Sequence, residues 1–210
     1  MNKSDKPIVI AFSGGCFSGK TTTMEELEET LKAKGIKVVT LNELIRERYI
    51  GSIDKIREDP SMYLAFQNEV IRAKIDAEIK CLNADAQVVL VDRAITDSLF
   101  YLLFYVDKSK LTFRDTISFM LLQSHIMSHI EYAWFNIYDL VVEFKPLDKL
   151  CDDTVYRPKH IDALKHIEHT TISMLNDYAN RGLENKCVVV DLNHESADAF
   201  IADIIERFNL

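Results

Sequence analysis

The chain has 210 residues, of which 48% are hydrophobic and 28% are charged, with 6 glycines and 4 prolines. This length and composition predict one compact domain with its own core and exclude collagen-like, mucin-like and disordered chains. The formal net charge of −8 disfavours binding to bulk nucleic acid, because an acidic surface repels a polyanion.

Cysteine spacing and the polar amino terminus both favour a reducing, cytoplasmic compartment. Residues 1–7 are polar and run straight into a strand-like segment, unlike a secretory signal. The most apolar stretches are too short or too often interrupted by polar residues to span a bilayer, so we expect no membrane partner. No C-x-x-C pair suggests a zinc knuckle or a disulfide framework among Cys16, Cys81, Cys151 and Cys187.

Short β-branched runs alternate with longer helical patterns, which is typical of a parallel sheet built from βαβ units. Each run is nearly all apolar, as expected for strands that helices cover on both faces. Five strands are predicted, at residues 8–12, 38–41, 88–91, 140–144 and 188–190. Helices are predicted at about residues 20–34, 43–50, 60–82, 94–106, 112–135, 159–180 and 196–208.

No linker or internal repeat divides the chain, so we predict a single domain over residues 1–210. The segment from Leu111 to Trp134 is long and apolar, and could form a helical insertion at about residues 107–136 or a homodimer face. A polar segment at about residues 148–160 could close over bound phosphates as a lid, with Arg157 and Lys159 as its cations. A solvated loop with local ion pairs is the alternative.

A glycine-rich motif follows the first predicted strand and opens the first helix. Its sequence, GGCFSGKT, matches G-x-x-x-x-G-K-[ST]. Glycines let the backbone N–H groups curl around one anion, Lys20 reaches the outer phosphates, and the Thr21 hydroxyl takes a magnesium position. The motif therefore predicts binding of ATP with Mg²⁺, and the alternative is a glycine turn that only caps a helix. The predicted nucleotide contacts are Gly14, Gly15, Cys16, Phe17, Ser18, Gly19, Lys20, Thr21 and Thr22.

Asp92 and Arg93 follow the third predicted strand. Ligands of parallel sheets gather at the carboxyl ends of the strands, so this pair is expected beside the glycine-rich loop. Asp92 can hold magnesium, directly or through water, and Arg93 can stabilise charge on a transferring phosphoryl group. The alternative is that Asp92 caps the next helix and Arg93 forms a surface ion pair.

Three further side chains are candidate contacts for a phosphoryl acceptor. Glu43, after the second strand, could accept the proton of an acceptor hydroxyl, and Arg46 could bind the acceptor or pair with Glu43. The alternative is an acidic first helical turn after an Asn42 cap. Gln67 shares a helical stripe with aromatic residues and could read the edge of a stacked ring, although such stripes more often belong to the core.

Two histidine pairs, His125 with His129 and His166 with His169, each lie about one helical turn apart. Neither pair has a third ligand at a recognisable spacing, and no H-E-x-x-H motif is present. Structural or surface roles are therefore favoured over a metal site.

In this order, the motifs resemble those of the small-molecule P-loop kinases. Residues 43–46, 92–101 and 153–157 are similar to the nicotinamide riboside kinase-like ATPase and kinase domains. Phe66-Gln67 with Arg72, and Asp92-Arg93, are similar to elements of deoxynucleoside and thymidylate kinases. Two departures, an Asp at position 92 in place of their Glu and a lid without their arginine cluster, leave the branch and the acceptor open.

The resemblance implies a three-layer P-loop NTPase fold with a five-stranded parallel sheet in the order 2-3-1-4-5. It also implies transfer of the ATP γ-phosphoryl group to a nucleoside or nucleoside monophosphate. By similarity, Glu43 would be the base or acceptor clamp, Arg46 and Gln67 acceptor contacts, Arg93 a phosphate stabiliser and Arg157 a lid residue. The alternative function is an ATP-binding regulatory or interaction protein, or an ATPase, that uses the same loop without a phosphorylated acceptor.

Overall fold

The computed structural model describes residues 6–15, 18–42, 53–147 and 179–210, together with a few positions between 169 and 177. The predicted lid at residues 148–160, the predicted helix at residues 43–50 and nearly all of the predicted helix at residues 159–180 lie outside the described residues.

Within the described residues, five parallel strands form one sheet. Their order is β2-β3-β1-β4-β5, which confirms the predicted topology. Since β1 lies at the centre, its carboxyl end has the ends of β3 and β4 on either side. The strands are β1 (Ile8–Gly14), β2 (Val38–Leu41), β3 (Val88–Asp92), β4 (Leu140–Phe144) and β5 (Cys187–Val190).

Helices cover both faces of the sheet, as the apolar strand sequences predicted. One core cluster packs Val9, Ala11 and their neighbours against α3, α4 and α5, and the other packs Ile10 and Phe12 against α1 and α6. The helices are α1 (Lys20–Ala33), α2 (Ile53–Glu58), α3 (Pro60–Cys81), α4 (Ile95–Tyr105), α5 (Phe113–Asn136) and α6 (Ala197–Phe208). Short helical turns are also present at Lys108–Lys110, Ala179–Leu183 and Glu184–Lys186.

Capping side chains explain where two of the long helices begin. The Asp59 carboxylate accepts the N–H groups of Ser61 and Met62, and Pro60 occupies the first helical position of α3, where its missing N–H costs no bond. Thr112 and Asp115 form a reciprocal capping box at the start of α5. The short helix α2 was not predicted, because its sequence, IDKIRE, offers only two apolar residues to a periodicity search.

Helix α5 buries one side against α3 and α4 and exposes apolar side chains on another. Its buried side includes Ile126, Ile130 and Trp134, while Phe113 remains 83% exposed. The helical insertion and the homodimer face stay predictions. No helix in the described ranges is both long and apolar enough to cross a membrane.

Strand β1 approaches β4 so closely at Gly14 that a side chain does not fit. Gly14 adopts a φ of +126°, and a Cβ atom there would overlap the carbonyl oxygen of Phe144, its partner in the parallel ladder. Position 14 therefore requires glycine for both its backbone conformation and its packing.

We expect Gly14→Ala to lower the free energy of unfolding by about 1–3 kcal/mol more than Gly35→Ala, because only the first also creates an overlap with neighbouring backbone. Gly35 is a matched control, since its φ of +78° is also positive and a Cβ atom at that position would have no neighbour within 4 Å. Urea unfolding followed by circular dichroism measures both values. Equal losses in the two variants would contradict the packing argument.

Candidate active site

The glycine-rich loop connects the central strand to the start of α1. Gly19 has a left-handed φ of +81°, and a Cβ atom there would lie 2.6 Å from Leu192 Cδ1. The first N–H groups of an α-helix have no acceptor within the helix, and glycine at the N-cap offers no side chain to accept them. The loop thus brings the positive end of α1 to the carboxyl edge of the sheet.

Lys20 lies folded over this loop. Its Nζ atom donates to the carbonyl oxygens of Gly14 and Gly15 at 2.9 and 2.7 Å and to Ser18 Oγ at 3.2 Å. The Ser18 hydroxyl in turn donates to the Gly15 carbonyl at 3.0 Å. Lys20 is only 5% exposed, so the structure holds its charge within the loop rather than in bulk solvent.

Thr21 and Asp92 bring two oxygen ligands together beside the loop. Asp92 ends β3 and pairs with Phe12 of β1, and its Oδ2 atom accepts from Thr21 Oγ1 at 3.4 Å. A hydroxyl and a carboxylate suit Mg²⁺, which in nucleotide sites takes its other ligands from phosphates and water. Among the described residues, no cluster of three or more His, Cys, Asp or Glu side chains could hold a metal.

Arg93 follows in an uncommon backbone conformation, with a φ of +70°. Its Nη1 atom donates to Tyr101 Oη at 2.8 Å and lies 3.5 Å from Asp97 Oδ2. Arg93 is only 9% exposed, so it is not the surface residue of the alternative interpretation. Asp92 does not cap the next helix either, because Ala94 occupies the N-cap position of α4.

Asp97 is a site residue that the sequence reasoning did not select. Its Oδ1 atom accepts from the Ser13 hydroxyl and, at 3.4 Å, from the Gly14 N–H, so this carboxyl joins the end of β1 to Arg93. Burial raises its pKa above the ordinary 3.8, and the charge of Arg93 only partly opposes that shift. The available signal was the four-residue spacing from Arg93 to Asp97, because a carboxyl in the first turn of the predicted helix lies close enough to pair with a cation just before it.

Gln67 lies on the buried side of α3, facing an aromatic cluster. Its Nε2 atom donates to Tyr63 Oη at 2.7 Å, and the Tyr63 hydroxyl donates to the Tyr101 carbonyl at 3.1 Å. Burial raises the pKa of the Tyr63 hydroxyl, which keeps its proton. The rings of Tyr101 and Tyr105 stack with centroids 6.1 Å apart. The amide of Gln67 is therefore already engaged by Tyr63.

A second guanidinium extends this cluster toward the surface, because the Arg57 Cζ atom lies 3.9 Å from the centroid of the Tyr105 ring. Nearby, at the carboxyl ends of β2 and β3, a recess of about 150 Å³ is lined by Thr40, Leu41, Asn42, Lys74, Ala77, Glu78 and Val91. The end of β2 thus faces the same region as the Asp92-Arg93 turn.

The structure brings together the predicted residues at the ends of β1 and β3 with the start of α1. Thr22 is exposed on the first turn of α1. The predicted roles of five other residues fall outside the described residues, namely Cys16, Phe17, Glu43, Arg46 and Arg157.

Comparisons with known proteins identify related folds. A family model, AAA_28, described as an AAA domain, matches residues 9–195. A crystal structure of NadR protein in complex with NAD and AMP-PNP aligns with a TM-score of 0.68 and 17% identity, over 97% of this chain and 50% of that chain. A second NadR structure, in complex with NR, aligns with a TM-score of 0.67 and 19% identity, over 97% of this chain and 52% of that chain.

Deoxyadenosine kinase from M. mycoides, with the products dCMP and a flexible dCDP bound, aligns with a TM-score of 0.62 and 13% identity, over 96% of this chain and 99% of that chain. These likenesses confirm the predicted P-loop NTPase fold and the resemblance to P-loop nucleoside kinases. The chain spans about half the length of the NadR chains it matches. No curated protein matches it significantly.

The raised pKa of Asp97 gives a pH dependence with a definite sign. A carboxyl whose pKa is higher in the folded than in the unfolded chain stabilises the fold below the unfolded value, and this contribution is lost as the pH rises through the folded value. We therefore expect the stability of the wild type, relative to Asp97→Asn, to fall as the pH rises from about 4, by up to about 1.4 kcal/mol per pH unit.

Urea unfolding of both proteins between pH 3 and pH 8 measures this difference. Asp107→Asn is the control, since bonds from Ser109 lower the pKa of the exposed Asp107 carboxyl below 3.8 and give the opposite slope, at lower pH. If the wild type instead became more stable than Asp97→Asn as the pH rises, the pKa of Asp97 would be lowered in the fold, and the attraction of Arg93 would outweigh the effect of burial.

Proposed function

Because the chain belongs to the AAA_28 family of AAA domains, we propose that it is a Mg-ATP-dependent kinase acting on a nucleoside or nucleoside monophosphate. The observation that carries the proposal is the buried Lys20 ammonium inside the glycine-rich loop, next to the Thr21 and Asp92 oxygens. These are the cation and the oxygen ligands that a nucleoside triphosphate with its metal requires, at the edge of the sheet where ligands bind.

ATP would bind with its outer phosphates in the loop. Lys20 would exchange its bonds to the Gly14 and Gly15 carbonyls for bonds to phosphate oxygens, which accept more strongly because they are charged. The N–H groups at the start of α1, including those of Thr21 and Thr22, would donate to the same phosphates. Gly15, Cys16, Phe17, Ser18 and Gly19 complete the proposed loop contacts.

Thr21 and Asp92 would hold the metal, because their oxygens already meet at 3.4 Å beside the loop. When bound, Mg²⁺ would neutralise charge on the phosphate oxygens. Asp97 holds the end of β1 through Ser13 and Gly14, which keeps the loop in register with the turn that bears Asp92.

Arg93 is the proposed stabiliser of the transferring phosphoryl group. Tyr101 and Asp97 hold its guanidinium at the carboxyl end of β3, so its charge is oriented before substrate binds. Such positioning, rather than covalent chemistry, supplies most of the catalysis in phosphoryl transfer. Arg157 is proposed as a further cation at the phosphates, from the lid.

The acceptor would lie on the side of α3 and α4, where Gln67, Tyr101 and Tyr105 form an aromatic and amide-bearing wall. Stacked rings offer a flat apolar surface to a base, and NR and dCMP in the related structures are ligands of this chemical class. Glu43 is proposed as base or acceptor clamp, and Arg46 as an acceptor contact. We therefore propose that the phosphoryl acceptor is a small molecule of the nucleoside class.

The engagement of Gln67 by Tyr63 favours a second candidate. If Gln67 serves only to hold Tyr63, it contacts no acceptor, and the chain would bind ATP as a regulatory or interaction protein or hydrolyse it with water as the acceptor. Incubation with γ-labelled ATP and a panel of nucleosides, nucleoside monophosphates and nicotinamide riboside separates these functions. Labelled product that depends on one acceptor supports the kinase, labelled phosphate alone supports the ATPase, and binding without turnover supports the sensor.

We expect Lys20→Met to abolish phosphoryl transfer and to weaken Mg-ATP binding by at least about 10-fold, because the variant keeps the stem but loses the charge that faces the phosphates. Isothermal calorimetry measures binding, and the labelled-ATP assay measures transfer. Lys34→Met is the control, since Lys34 is an exposed residue at the carboxyl end of α1. Unchanged binding and transfer in Lys20→Met, with a native circular dichroism spectrum, would contradict the proposal.

A further inference from the structure

The turn after β3 is held in place by bonds to its backbone as well as by its side chains. The Arg93 carbonyl accepts from Lys74 Nζ of α3, and the Ile95 N–H donates to Tyr138 Oη at 3.2 Å. Tyr138 lies just before β4. Two side chains from different parts of the chain therefore contact the turn on either side of Ala94, whose own N–H donates to the Phe12 carbonyl of β1 at 2.8 Å.

Glu78 connects these two side chains. Its Oε1 atom accepts from the Tyr138 hydroxyl at 2.6 Å and lies 3.9 Å from Lys74 Nζ, while His129 Nε2 lies 3.1 Å from Oε2. Three hydrogen bonds and the Lys74–Glu78 ion pair thus connect the Arg93 carbonyl, through Lys74, Glu78 and Tyr138, to the Ile95 N–H. We call Lys74, Glu78, Tyr138 and His129 the Glu78 network.

Glu78 is buried, and its partners offset the free-energy cost of burying its carboxylate. The residue is 0% exposed, and a buried carboxylate without hydrogen bonds or a counter-charge is strongly unfavourable. Burial and the neighbouring Glu78 carboxylate raise the pKa of Tyr138 well above its ordinary value, so the Tyr138 hydroxyl keeps the proton that it donates. A leucine would fill a buried helix position without this cost, so the charged network requires a reason beyond packing.

That reason lies in the backbone of the turn. Arg93 has a φ of +70°, a conformation that costs a non-glycine residue on the order of 1 kcal/mol or more. The Glu78 network binds the Arg93 carbonyl and the Ile95 N–H, the backbone groups that directly follow this strained conformation. The same turn orients Asp92 toward Thr21 and Arg93 toward Tyr101 and Asp97.

We propose that Lys74, Glu78 and Tyr138 are positioning residues that hold the Arg93 turn, and with it the Asp92 and Arg93 side chains, in the geometry used for phosphoryl transfer. The inference rests on the proposed function for its catalytic consequence and on the hydrogen bonds for its structural part. Within the described part of the chain, the hydrogen bonds of the Glu78 network end at the turn and do not reach the glycine-rich loop, which supplies most of the proposed phosphate contacts. The effect of the network should therefore fall mainly on transfer, and ATP binding should change only through the metal ligand Asp92.

Tyr138→Phe is the direct test, because it keeps the buried ring and removes only the hydroxyl that joins Glu78 to Ile95. We expect kcat to fall by about 10–100-fold, since a small misplacement of a charged side chain has effects of this size on positioned reactions. The Kd for Mg-ATP should change by less than about 3-fold. The rate is measured with the acceptor identified by the panel, or as ATP hydrolysis if water is the acceptor.

Ile126→Val is the matched control for lost stability. Ile126 is buried in the same core cluster, on α5, and the substitution destabilises without touching the turn. All rates are compared at a temperature where circular dichroism shows every variant folded. A kcat for Tyr138→Phe within about 2-fold of that for Ile126→Val would overturn the proposal.

Lys74→Met tests the other side of the turn, with Lys80→Met as the control. Lys80 lies on the same helix and is exposed, whereas the Lys74 side chain is 13% exposed. We expect Lys74→Met to lower kcat as Tyr138→Phe does, and Lys80→Met to leave it unchanged. An unchanged kcat in Lys74→Met would remove Lys74 from the positioning role.

Amide hydrogen exchange separates failure of this inference from failure of the proposed function. In Tyr138→Phe the Ile95 amide should exchange at least about 10-fold faster than in Ile126→Val, because it has lost its acceptor. If the wild type transfers no phosphoryl group to any acceptor or to water, the proposed function fails. The exchange measurement still tests whether Tyr138 holds the Ile95 N–H. An Ile95 amide that exchanges equally in both variants would overturn the network itself.

Discussion

The contact between the backbones of β1 and β4 at Gly14 is the constraint on which the rest of the site depends. It lets the central strand continue to the carboxyl edge of the sheet without a side chain, so that the glycine-rich loop begins between β3 and β4. The loop then lies beside Asp92 at the end of β3 and leads into the first turn of α1. The close approach sets where the loop with Lys20 and Thr21 begins, and the β1–β3 pairing of Phe12 with Asp92 brings the carboxylate beside it.

Buried charge is concentrated at this edge of the sheet, and each charged group described there has a defined partner. Lys20 binds loop carbonyls, Arg93 binds Asp97 and Tyr101, and Glu78 binds Tyr138 and His129. Buried ion pairs contribute little to stability compared with apolar packing of the same volume. A fold that retains several of them at one edge has given up some stability there, which is the pattern expected where function sets the requirement.

Sequence reasoning recovered the parts of the molecule that are encoded locally. The strands were predictable because residues such as Ile8 to Phe12 are apolar on both faces, and the loop was predictable because its chemistry requires fixed spacing. Asp97 and Glu78 each have one partner four residues away, but such spacings are common on exposed helix faces and did not single them out. The partners that show both residues to be buried connectors are distant in sequence: Ser13 precedes Asp97 by more than 80 residues, and Tyr138 follows Glu78 by 60. His129 was assigned a structural or surface role, and its bond to Glu78 fits the structural one. Tyr63 precedes Gln67 by one helical turn, so the bond between them had a local signal, which the sequence alone could not separate from recognition of a ligand by the same amide.

The strand order also determines when the site can exist during synthesis. The ribosome makes Ile8 to Gly14 well before its neighbours in the sheet, which begin at Val88 and Leu140. In the nascent chain, the apolar β1 segment therefore stays unpaired until both of those strands have emerged. Pairing across such long loops is slow. The glycine-rich loop thus gains its final shape late, although its own residues are translated long before the strands that flank it.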